Sequence, residues 1–260
     1  MEIKDLRVSI VQTELVWENP TENFKKFEKL LKPLSNQTDL VVLPEMFTTG
    51  FSMNPSKLHD TPEGQTLVWL RNQASKLNSA VVGSAIIKDD DEYYNRLFFV
   101  KPDGDFHTYD KKHLFTLAGE HQSYKAGNQR LVVKYNGWRI CPFICYDLRF
   151  PVWARYQEDY DLLIYTANWP QRRIQAWDTL LKARAIENMS YCVGVNRIGV
   201  DGNDYPYVGH SAIYDVLGNL VSTQNFEVEF VDTQVLLFEH LSSVRQRLGF
   251  LNDRDQFELR

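Results

Sequence analysis

Two segments of the sequence read as strand, helix and strand, and this pattern constrains the fold more than any other feature. The first segment spans residues 6–43 and the second spans residues 161–196. The predicted elements are strands at 6–12 and 39–43 around a helix from 21 to about 34, and strands at 161–166 and 191–196 around a helix at 174–188. A β-α-β segment normally places its two strands parallel in one sheet, with the helix on one face.

The rest of the chain predicts a helix at 65–77 and several antiparallel strands. These strands fall at 80–88, 94–101, 131–135, 138–145, 209–216 and within 220–238. Asn136-Gly137 is a strong hairpin signal, whereas 109–128 has no clean period and predicts a long functional loop. We therefore expect an α/β fold (α+β in some classifications), a four-layer αββα sandwich of two mixed β-sheets flanked by helices. We expect one domain over 1–260, with 242–260 a C-terminal tail that is loose or docks on a partner subunit.

Composition excludes several classes of function. The 260 residues are 43% hydrophobic and 24% charged, which is typical of a folded globular protein. A net charge of −5 and the lack of a basic run argue against nucleic acid or an anionic membrane as the main partner. Three cysteines, Cys141, Cys145 and Cys192, are an odd count that does not fit a disulfide framework. Charges near the N-terminus exclude a signal peptide, and no apolar run would span a bilayer, so we expect a cytoplasmic protein.

Cys145 stands where a buried strand ends and the chain turns, within the segment RICPFICYDLRFP at 139–151. Free backbone N–H groups at such a place bind a developing oxyanion, and the field at a following helix start favours thiolate over thiol. Considered alone, a cysteine is more often a small buried hydrophobe than a nucleophile. The segment therefore needs support from residues elsewhere in the chain.

Glu45 and Lys111 occupy comparable places, Glu45 just after the strand at 39–43 and Lys111 in the loop after a strand. Side chains beyond the carboxyl ends of strands can converge although they are far apart in sequence. A cysteine that attacks an amide needs a base, which Glu45 can provide, and donors for the oxyanion, which Lys111 and the Tyr146 N–H can provide. On composition alone, a solvated surface position is the favoured interpretation of each of these charged residues, because Lys and Glu are mostly exposed.

Other chemistries find less support. His107, His113 and His121 lie close together, but their spacing matches no usual zinc signature, so we expect no metal site. The sequence has no phosphate-binding GxxxxGK[ST], no GxGxxG after the first strand and no GxSxG elbow, so we expect no nucleotide cofactor.

Four blocks together resemble the signatures of the nitrilase (carbon–nitrogen hydrolase) superfamily. They are LPEMFTTGF at 43–51, YDKKHLF at 109–115, LAGEHQSYKAGN at 117–128 and ICYDLRFP at 144–151, and they occur in the family's order. With ANWPQRRIQAWDTLLKARAIEN at 167–188 they extend over residues 43–188, more than half of the chain. Within the superfamily, the EMFTTGF, CYDLRFPVW and ANWP blocks most resemble the omega-amidases, which hydrolyse the terminal amide of small 2-oxo acids.

The resemblance implies a role for each matching residue. Glu45 matches the general base, Lys111 the lysine that stabilises the oxyanion, Cys145 the nucleophile, and Glu120 a second glutamate that orients the lysine and the substrate nitrogen. Lys112 fills a variable position. The resemblance also implies an αββα fold, a homodimer or higher homo-oligomer, and no cofactor or metal.

A substrate that carries a carboxylate at the end opposite its amide requires a cation in the site to bind that carboxylate. Arg173 is the candidate, because a guanidinium binds a carboxylate bidentately, although a structural salt bridge is an equal alternative. Phe47, Trp169 and Tyr146 are candidates for the walls of a small pocket. The alternatives are another substrate for the same site (a nitrile, an N-carbamoyl amino acid or another small amide) and an inactive binding protein that keeps the fold.

Overall fold

Two mixed β-sheets pack face to face in the computed structural model, which describes residues 3–157 and 159–258. The strands are β1 (Leu6–Gln12), β2 (Leu40–Val42), β3 (Ala80–Asp89), β4 (Glu92–Val100), β5 (Phe106–Asp110), β6 (Val133–Tyr135), β7 (Trp138–Ile144), β8 (Leu162–Ala167), β9 (Tyr191–Asn196), β10 (Ile198–Val200), β11 (Pro206–Val208), β12 (Ala212–Tyr214) and β13 (Phe230–Leu236). The α-helices are α1 (Pro20–Leu31), α2 (Pro55–Leu58), α3 (Gln65–Leu77), α4 (Glu120–Ser123), α5 (Pro151–Ala154), α6 (Ile174–Asn188) and α7 (Phe238–Leu248). The αββα prediction is confirmed.

The first sheet has the strand order β13-β1-β2-β3-β4-β5. Strands β1, β2 and β3 are parallel, with Val8 beside Leu40 and Val42 beside Val82. Strands β4 and β5 extend this sheet as an antiparallel meander, so β5 runs in the same direction as β3. The carboxyl ends of β2, β3 and β5 therefore meet at one edge of the sheet.

The second sheet has the order β12-β9-β8-β7-β6, with β7, β8 and β9 parallel at its centre. Helix α6 connects β8 to β9, as the second β-α-β pattern predicts, and its bounds agree with the predicted 174–188. Strands β6 and β7 form the hairpin that Asn136-Gly137 predicts, and both turn residues have positive φ. A separate short ladder pairs β10 with β11.

Alternation along the strands fills two core layers. In β2, Leu40 and Val42 belong to the cluster between the two sheets, whereas Val41 belongs to the cluster under α1 and α3. Helix α1 contributes Phe24 and Phe27 to that outer layer, and Asn19 caps its start by accepting from the Glu22 N–H at 3.2 Å. Because both faces of β2 are buried, the strand is a continuous apolar run.

Helix α6 lies close to the second sheet because β9 has a glycine at the contact. A Cβ built on Gly194 would lie 2.3 Å from Leu181 Cδ1 and 2.8 Å from Trp177, both on α6. Real Cβ atoms do not make such contacts, so only glycine allows this approach of helix to strand.

Three regions differ from the prediction. The strands expected at 209–216 and within 220–238 are shorter, at Ala212–Tyr214 and Phe230–Leu236. The loop expected at 109–128 begins with the end of β5 and contains a 3₁₀ turn at Thr116–Ala118 and the short helix α4. These short elements are too brief to show a hydrophobic period in the sequence.

The expected C-terminal tail packs in part on its own chain. Residues 242–248 continue α7, in which Leu241 and Val244 are buried in the core, and Arg245 donates to Asp161 Oδ1 at 2.9 Å. Residues 259 and 260 of the tail lie outside the described residues. Docking of the tail on a partner subunit stays a prediction.

Within 3–157 and 159–258, no helix combines the length and the apolar character needed to cross a membrane.

Candidate active site

Glu45, Lys111, Glu120 and Cys145 converge at the edge where the carboxyl ends of the parallel strands of the two sheets meet. Glu45 follows β2, Lys111 follows β5 and Cys145 follows β7. The Lys111 ammonium lies 2.8 Å from Glu45 Oε1 and 3.0 Å from each oxygen of Glu120. Glu45 and Glu120 are 0% exposed and Lys111 is 1% exposed. The structure therefore brings the predicted residues together in a site screened from bulk water.

Cys145 lies at the first residue of a 3₁₀ turn, Cys145–Arg149, directly after β7. Its backbone φ is +43°, a conformation that non-glycine residues rarely adopt and that is often found at functional sites. The sulfur lies 3.9 Å from the Asn168 carbonyl oxygen, and both Cys145 and Tyr146 line the cavity described below. The turn thus presents the thiol to the cavity from the end of a buried strand.

Lys111 is charged in spite of its burial. Burial by itself lowers the pKa of a lysine, but the charges of Glu120 and Glu45 outweigh this effect and raise the pKa of Lys111 above its usual value. The ammonium also lies 5.1 Å from the centre of the Phe51 ring, in cation–π contact. The site therefore holds a fixed positive charge beside the thiol.

Glu45 is held through both carboxylate oxygens. Oε1 accepts from Lys111 and from the Asn95 amide at 2.8 Å, and Oε2 accepts from the Asn168 N–H at 2.9 Å. The Asn168 side chain donates in turn to the Glu45 main-chain oxygen at 2.6 Å. Asn95 and Asn168 are residues that the sequence interpretation missed as parts of the site. The signals for them were an uncharged polar residue within the strand at 94–101 and the Asn of the ANWP block.

Glu120 is oriented by its own donors. Oε2 accepts from the Phe115 N–H at 2.5 Å, and both oxygens face Lys111. Burial raises the pKa of Glu120, and the positive charge of Lys111 opposes that rise. The second glutamate therefore contacts the lysine, as the family resemblance implies for the residue at this position.

The state of the Cys145 thiol differs from the prediction. The helix-start field was expected to favour thiolate, but burial and then the negative charge of Glu45 raise the pKa of Cys145 well above its usual value. Lys111 opposes this rise without cancelling it. The resting site therefore holds a neutral thiol beside a carboxylate, so deprotonation has to accompany attack on a substrate.

A cavity of about 530 Å³ opens over Cys145. Arg173, Trp169 and Tyr146 line it, as predicted. The Arg173 guanidinium lies 4.8 Å from the centre of the Phe115 ring and has no acidic partner among the described residues, so its charge is available to a ligand. The alternative of a structural salt bridge for Arg173 finds no support in the described part of the chain.

Phe47 is a correction, because it does not line this cavity. Its ring is fully buried in the outer core layer, 5.6 Å from the ring of Phe27 and 5.4 Å from that of Trp69. Met46 has a φ of +44°, and the chain turns there, so Phe47 lies under α1 and α3. Phe51, four residues later, lines the cavity instead.

The clustered histidines do not form a site together. His113 stacks on Phe150 with 3.6 Å between ring centres, and its Nδ1 lies 2.7 Å from Asp147 Oδ1. In residues 3–157 and 159–258, no group of three or more His, Cys, Asp and Glu side chains is placed to hold a metal ion. Cys141 and Cys192 are buried and form no disulfide.

The arrangement has the parts required for acyl transfer through a thioester. A thiol faces a cavity, a carboxylate lies beside it, and a lysine is held by two carboxylates. Such a set attacks a carbonyl carbon, moves one proton and stabilises an oxyanion.

Comparison with known proteins gives consistent matches. Residues 7–236 match the family model described as Carbon-nitrogen hydrolase. The chain is 44% identical over 255 residues to the omega-amidase YafV of Yersinia enterocolitica, covering 98% of both proteins. It is 32% identical over 251 residues to the 2-oxoglutaramate amidase of Bacillus subtilis strain 168, covering 95% of this chain and 96% of that protein. Among solved structures, XC1258 from Xanthomonas campestris, a CN-hydrolase superfamily protein with an arsenic adduct in its active site, matches with a TM-score of 0.96 and 43% identity, covering 99% of this chain and 100% of that one.

Proposed function

Because this chain belongs to the carbon–nitrogen hydrolase family, we propose that it is a cysteine-dependent omega-amidase. Its substrates are the terminal amides of small 2-oxo dicarboxylic acids, 2-oxoglutaramate and 2-oxosuccinamate, and its products are the 2-oxo acid and ammonia. The relatives named omega-amidase and 2-oxoglutaramate amidase support this substrate class. The observation that carries the proposal is Lys111, held at 2.8–3.0 Å between two buried carboxylates beside a cavity-facing cysteine.

In the first step, Cys145 attacks the amide carbon while its proton passes to Glu45. The S–C bond forms, and the carbonyl electron pair moves onto oxygen. The Lys111 ammonium and the Tyr146 N–H stabilise this oxyanion. The raised pKa of Cys145 fits this coupling, because the thiol stays protonated until a substrate carbon is in place.

In the second step, the tetrahedral intermediate collapses. The C–N bond breaks and the nitrogen takes the proton from Glu45. Ammonia departs, and the acyl group remains on Cys145 as a thioester. Water then gives a proton to Glu45 and attacks the thioester carbon. When the C–S bond breaks, the sulfur recovers that proton, so the thiol and the Glu45 carboxylate are regenerated together with the acid.

The distant carboxylate of the substrate binds Arg173. This guanidinium lies on the cavity wall without an acidic partner among the described residues, and the ring of Phe115 supports it. Burial lowers the pKa of Arg173, and the neighbouring Arg172 adds to that effect, but a guanidinium keeps its charge at neutral pH. Trp169 and Tyr146 form walls around the short carbon chain between the two ends.

Ammonia release tests the proposal. Purified protein is incubated with 2-oxoglutaramate, and ammonia and 2-oxoglutarate are measured together. We expect equimolar products from the native protein and none from Cys145→Ala at unchanged thermal stability. A parallel panel of butyramide, a small nitrile and an N-carbamoyl amino acid distinguishes an omega-amidase from a hydrolase of the same family that acts on one of these other substrates. Folded protein that releases no ammonia from 2-oxoglutaramate but hydrolyses one of these compounds would replace the proposed substrate.

We further propose that the protein acts in the cytoplasm as a homodimer or higher homo-oligomer. Its three cysteines are an odd count that does not fit a disulfide framework and so fits a reducing compartment, and the family resemblance supports assembly. Light scattering after gel filtration measures the mass directly. A single species at 30.4 kDa would refute the proposed assembly.

A further inference from the structure

One buried carboxylate, Asp147, joins the segment that carries Lys111 to the turn that carries Cys145. Its side chain is 0% exposed, and it lies two residues after the nucleophile. Tyr109 and His113 lie two residues before and two residues after Lys111, and both bind this carboxylate. The Tyr109 hydroxyl donates to Oδ2 at 2.8 Å, and the His113 backbone N–H donates to Oδ1 at 2.9 Å.

The His113 ring makes a further bond to the same carboxylate. Its Nδ1 lies 2.7 Å from Asp147 Oδ1. An ionised carboxylate only accepts hydrogen bonds, so Nδ1 carries the proton in this contact. The ring is fixed by stacking on Phe150, with 3.6 Å between ring centres and 5° between ring planes. The segment that holds Lys111 is therefore bound to Asp147 on both sides of the lysine.

Asp147 also closes the turn at the nucleophile. Its Oδ2 accepts from the Ile144 N–H at 3.1 Å, and its main-chain oxygen accepts from the Phe150 N–H at 3.0 Å. Between these two bonds lies Cys145 with its φ of +43°. A strained residue keeps its conformation only when its surroundings impose it, and here the carboxylate provides part of that constraint.

The donors to Asp147 are themselves held in place. The Tyr109 hydroxyl accepts from Trp153 Nε1 at 3.1 Å and from the Lys112 N–H at 3.3 Å. The bonds that Tyr109 and His113 donate to the Asp147 carboxylate are charge-assisted, and such bonds are shorter and stronger than neutral ones. The network therefore links the position of the segment that carries Lys111 to that of the turn that carries Cys145.

We propose that Asp147 is a positioning residue for the hydrolysis, which sets the place of the Lys111 ammonium relative to the Cys145 sulfur. It does not line the cavity, so it acts through Tyr109, His113 and the nucleophile turn and not on the substrate. The inference rests on the proposed function for its kinetic effect. It requires only that the free energy of the transition state depends on the distance between Lys111 and Cys145 more strongly than the free energy of substrate binding does.

Three variants remove parts of the network. Asp147→Asn keeps the shape but removes the charge, Tyr109→Phe removes one hydroxyl, and His113→Phe keeps the ring stacking and removes the ring nitrogen. We expect kcat on 2-oxoglutaramate to fall about 100-fold in the first variant, the size of effect that a misplacement of about 1 Å produces, with KM within twofold. Tyr109→Phe should lose about tenfold, because it removes one hydrogen bond to a charged group.

Tyr160→Phe is the matched control for Tyr109→Phe. Its hydroxyl is equally buried and donates to the Ala154 carbonyl at 2.6 Å, but it has no contact with Asp147. We expect a loss of stability comparable to that of Tyr109→Phe and unchanged kcat. If both variants lower kcat equally, the effect is general loosening of the fold and the proposal is wrong.

Alkylation of Cys145 by iodoacetamide separates positioning from partial unfolding. If Asp147 positions the site, the Asp147→Asn protein alkylates to the same final extent as the native protein, but more slowly. If Asp147 only maintains folding, a smaller fraction of the Asp147→Asn molecules is alkylated, but that fraction reacts at the native rate. This result would refute the proposal. Should Asp147→Asn fail to fold, Tyr109→Phe and His113→Phe decide in the same assay. Because alkylation requires no amide substrate, it tests the positioning role even if 2-oxoglutaramate proves not to be the substrate.

Discussion

Replacement of Lys111 by methionine is the most informative single change, because the lysine joins the electrostatics of the site to its chemistry. Its ammonium makes three charged hydrogen bonds, at 2.8, 3.0 and 3.0 Å, to two carboxylates that are 0% exposed. Methionine has a similar length and no charge, so Lys111→Met leaves both carboxylates buried without their cation. Removal of one partner from a buried ion pair costs about 3–5 kcal/mol.

That cost should appear as a fall in thermal midpoint. For a domain of this size, 1 kcal/mol corresponds to about 2–4 °C, so we expect a decrease on the order of 10 °C. The deficit should also depend on pH. Burial raises the pKa of Glu120 and the charge of Lys111 opposes that rise, so removal of the cation raises the folded-state pKa of Glu120 further above its unfolded value, and the variant loses stability relative to the native protein as pH rises. The difference in midpoint should be larger at pH 8 than at pH 5.

The loss of activity should exceed the loss of stability. Removal of one donor to a developing oxyanion costs about 100- to 1000-fold in kcat, and we expect at least that for Lys111→Met at a temperature where the variant is fully folded. Lys112→Met is the matched control, since the neighbouring lysine contacts the ring of Trp153 at 5.3 Å and has no part in the site. The reasoning is refuted if Lys111→Met keeps kcat within tenfold of the native enzyme, or if Lys112→Met loses as much.

Three other changes test separate parts of the structure. Because the charge of Glu45 contributes to the raised pKa of Cys145, Glu45→Gln should shift the pH profile of alkylation to lower pH while abolishing ammonia release; an unshifted profile would show that burial alone sets the pKa. Arg173→Gln should raise KM for 2-oxoglutaramate at least tenfold, whereas the rate on butyramide, which has no carboxylate, should be the same in the variant and the native protein; equal losses on both amides would exclude carboxylate recognition by this residue. Gly194→Ala should lower the free energy of unfolding in urea by about 1–3 kcal/mol, since its Cβ would overlap Leu181, and a native stability would show that α6 shifts at no cost.

The sequence predicted the long periodic elements well. The helices at Gln65–Leu77 and Ile174–Asn188 agree with their predicted bounds, and the strand at Tyr191–Asn196 agrees as well. Each is either a helix with several turns or a continuous apolar strand, and in both cases burial imposes the period on the sequence. Helix α7 was missed because its four apolar residues, Phe238, Leu241, Val244 and Leu248, alternate with charged and polar residues, and because Phe238 falls within the strand predicted at 220–238.

The candidate site was predictable in composition but not in its supporting residues. Glu45, Lys111 and Cys145 each follow a strand, so a β-α-β pattern and four sequence blocks suffice to bring them together. The direction of a side chain after a strand is a different matter. Phe47 and Phe51 belong to the same block, yet only Phe51 lines the cavity. The chain turns at Met46, which has a positive φ, and Phe47 then points into the outer core layer. No hydrophobic pattern reports such a turn.

The same difficulty hid Asn95 and Asp147, and it explains what a sequence motif leaves out of a catalytic site. A motif marks residues by their spacing along the chain, whereas Asn95 acts through a contact to Glu45 from fifty residues away. Asp147 lies inside a motif, two residues after the nucleophile, but its partners are on the segment of Lys111. A buried neutral thiol requires that the base and the lysine are in place before substrate arrives, since neither can be recruited from solvent. We therefore expect Asn95 and Asp147, which fix the positions of Glu45 and Lys111, to affect the rate of hydrolysis although neither lines the cavity.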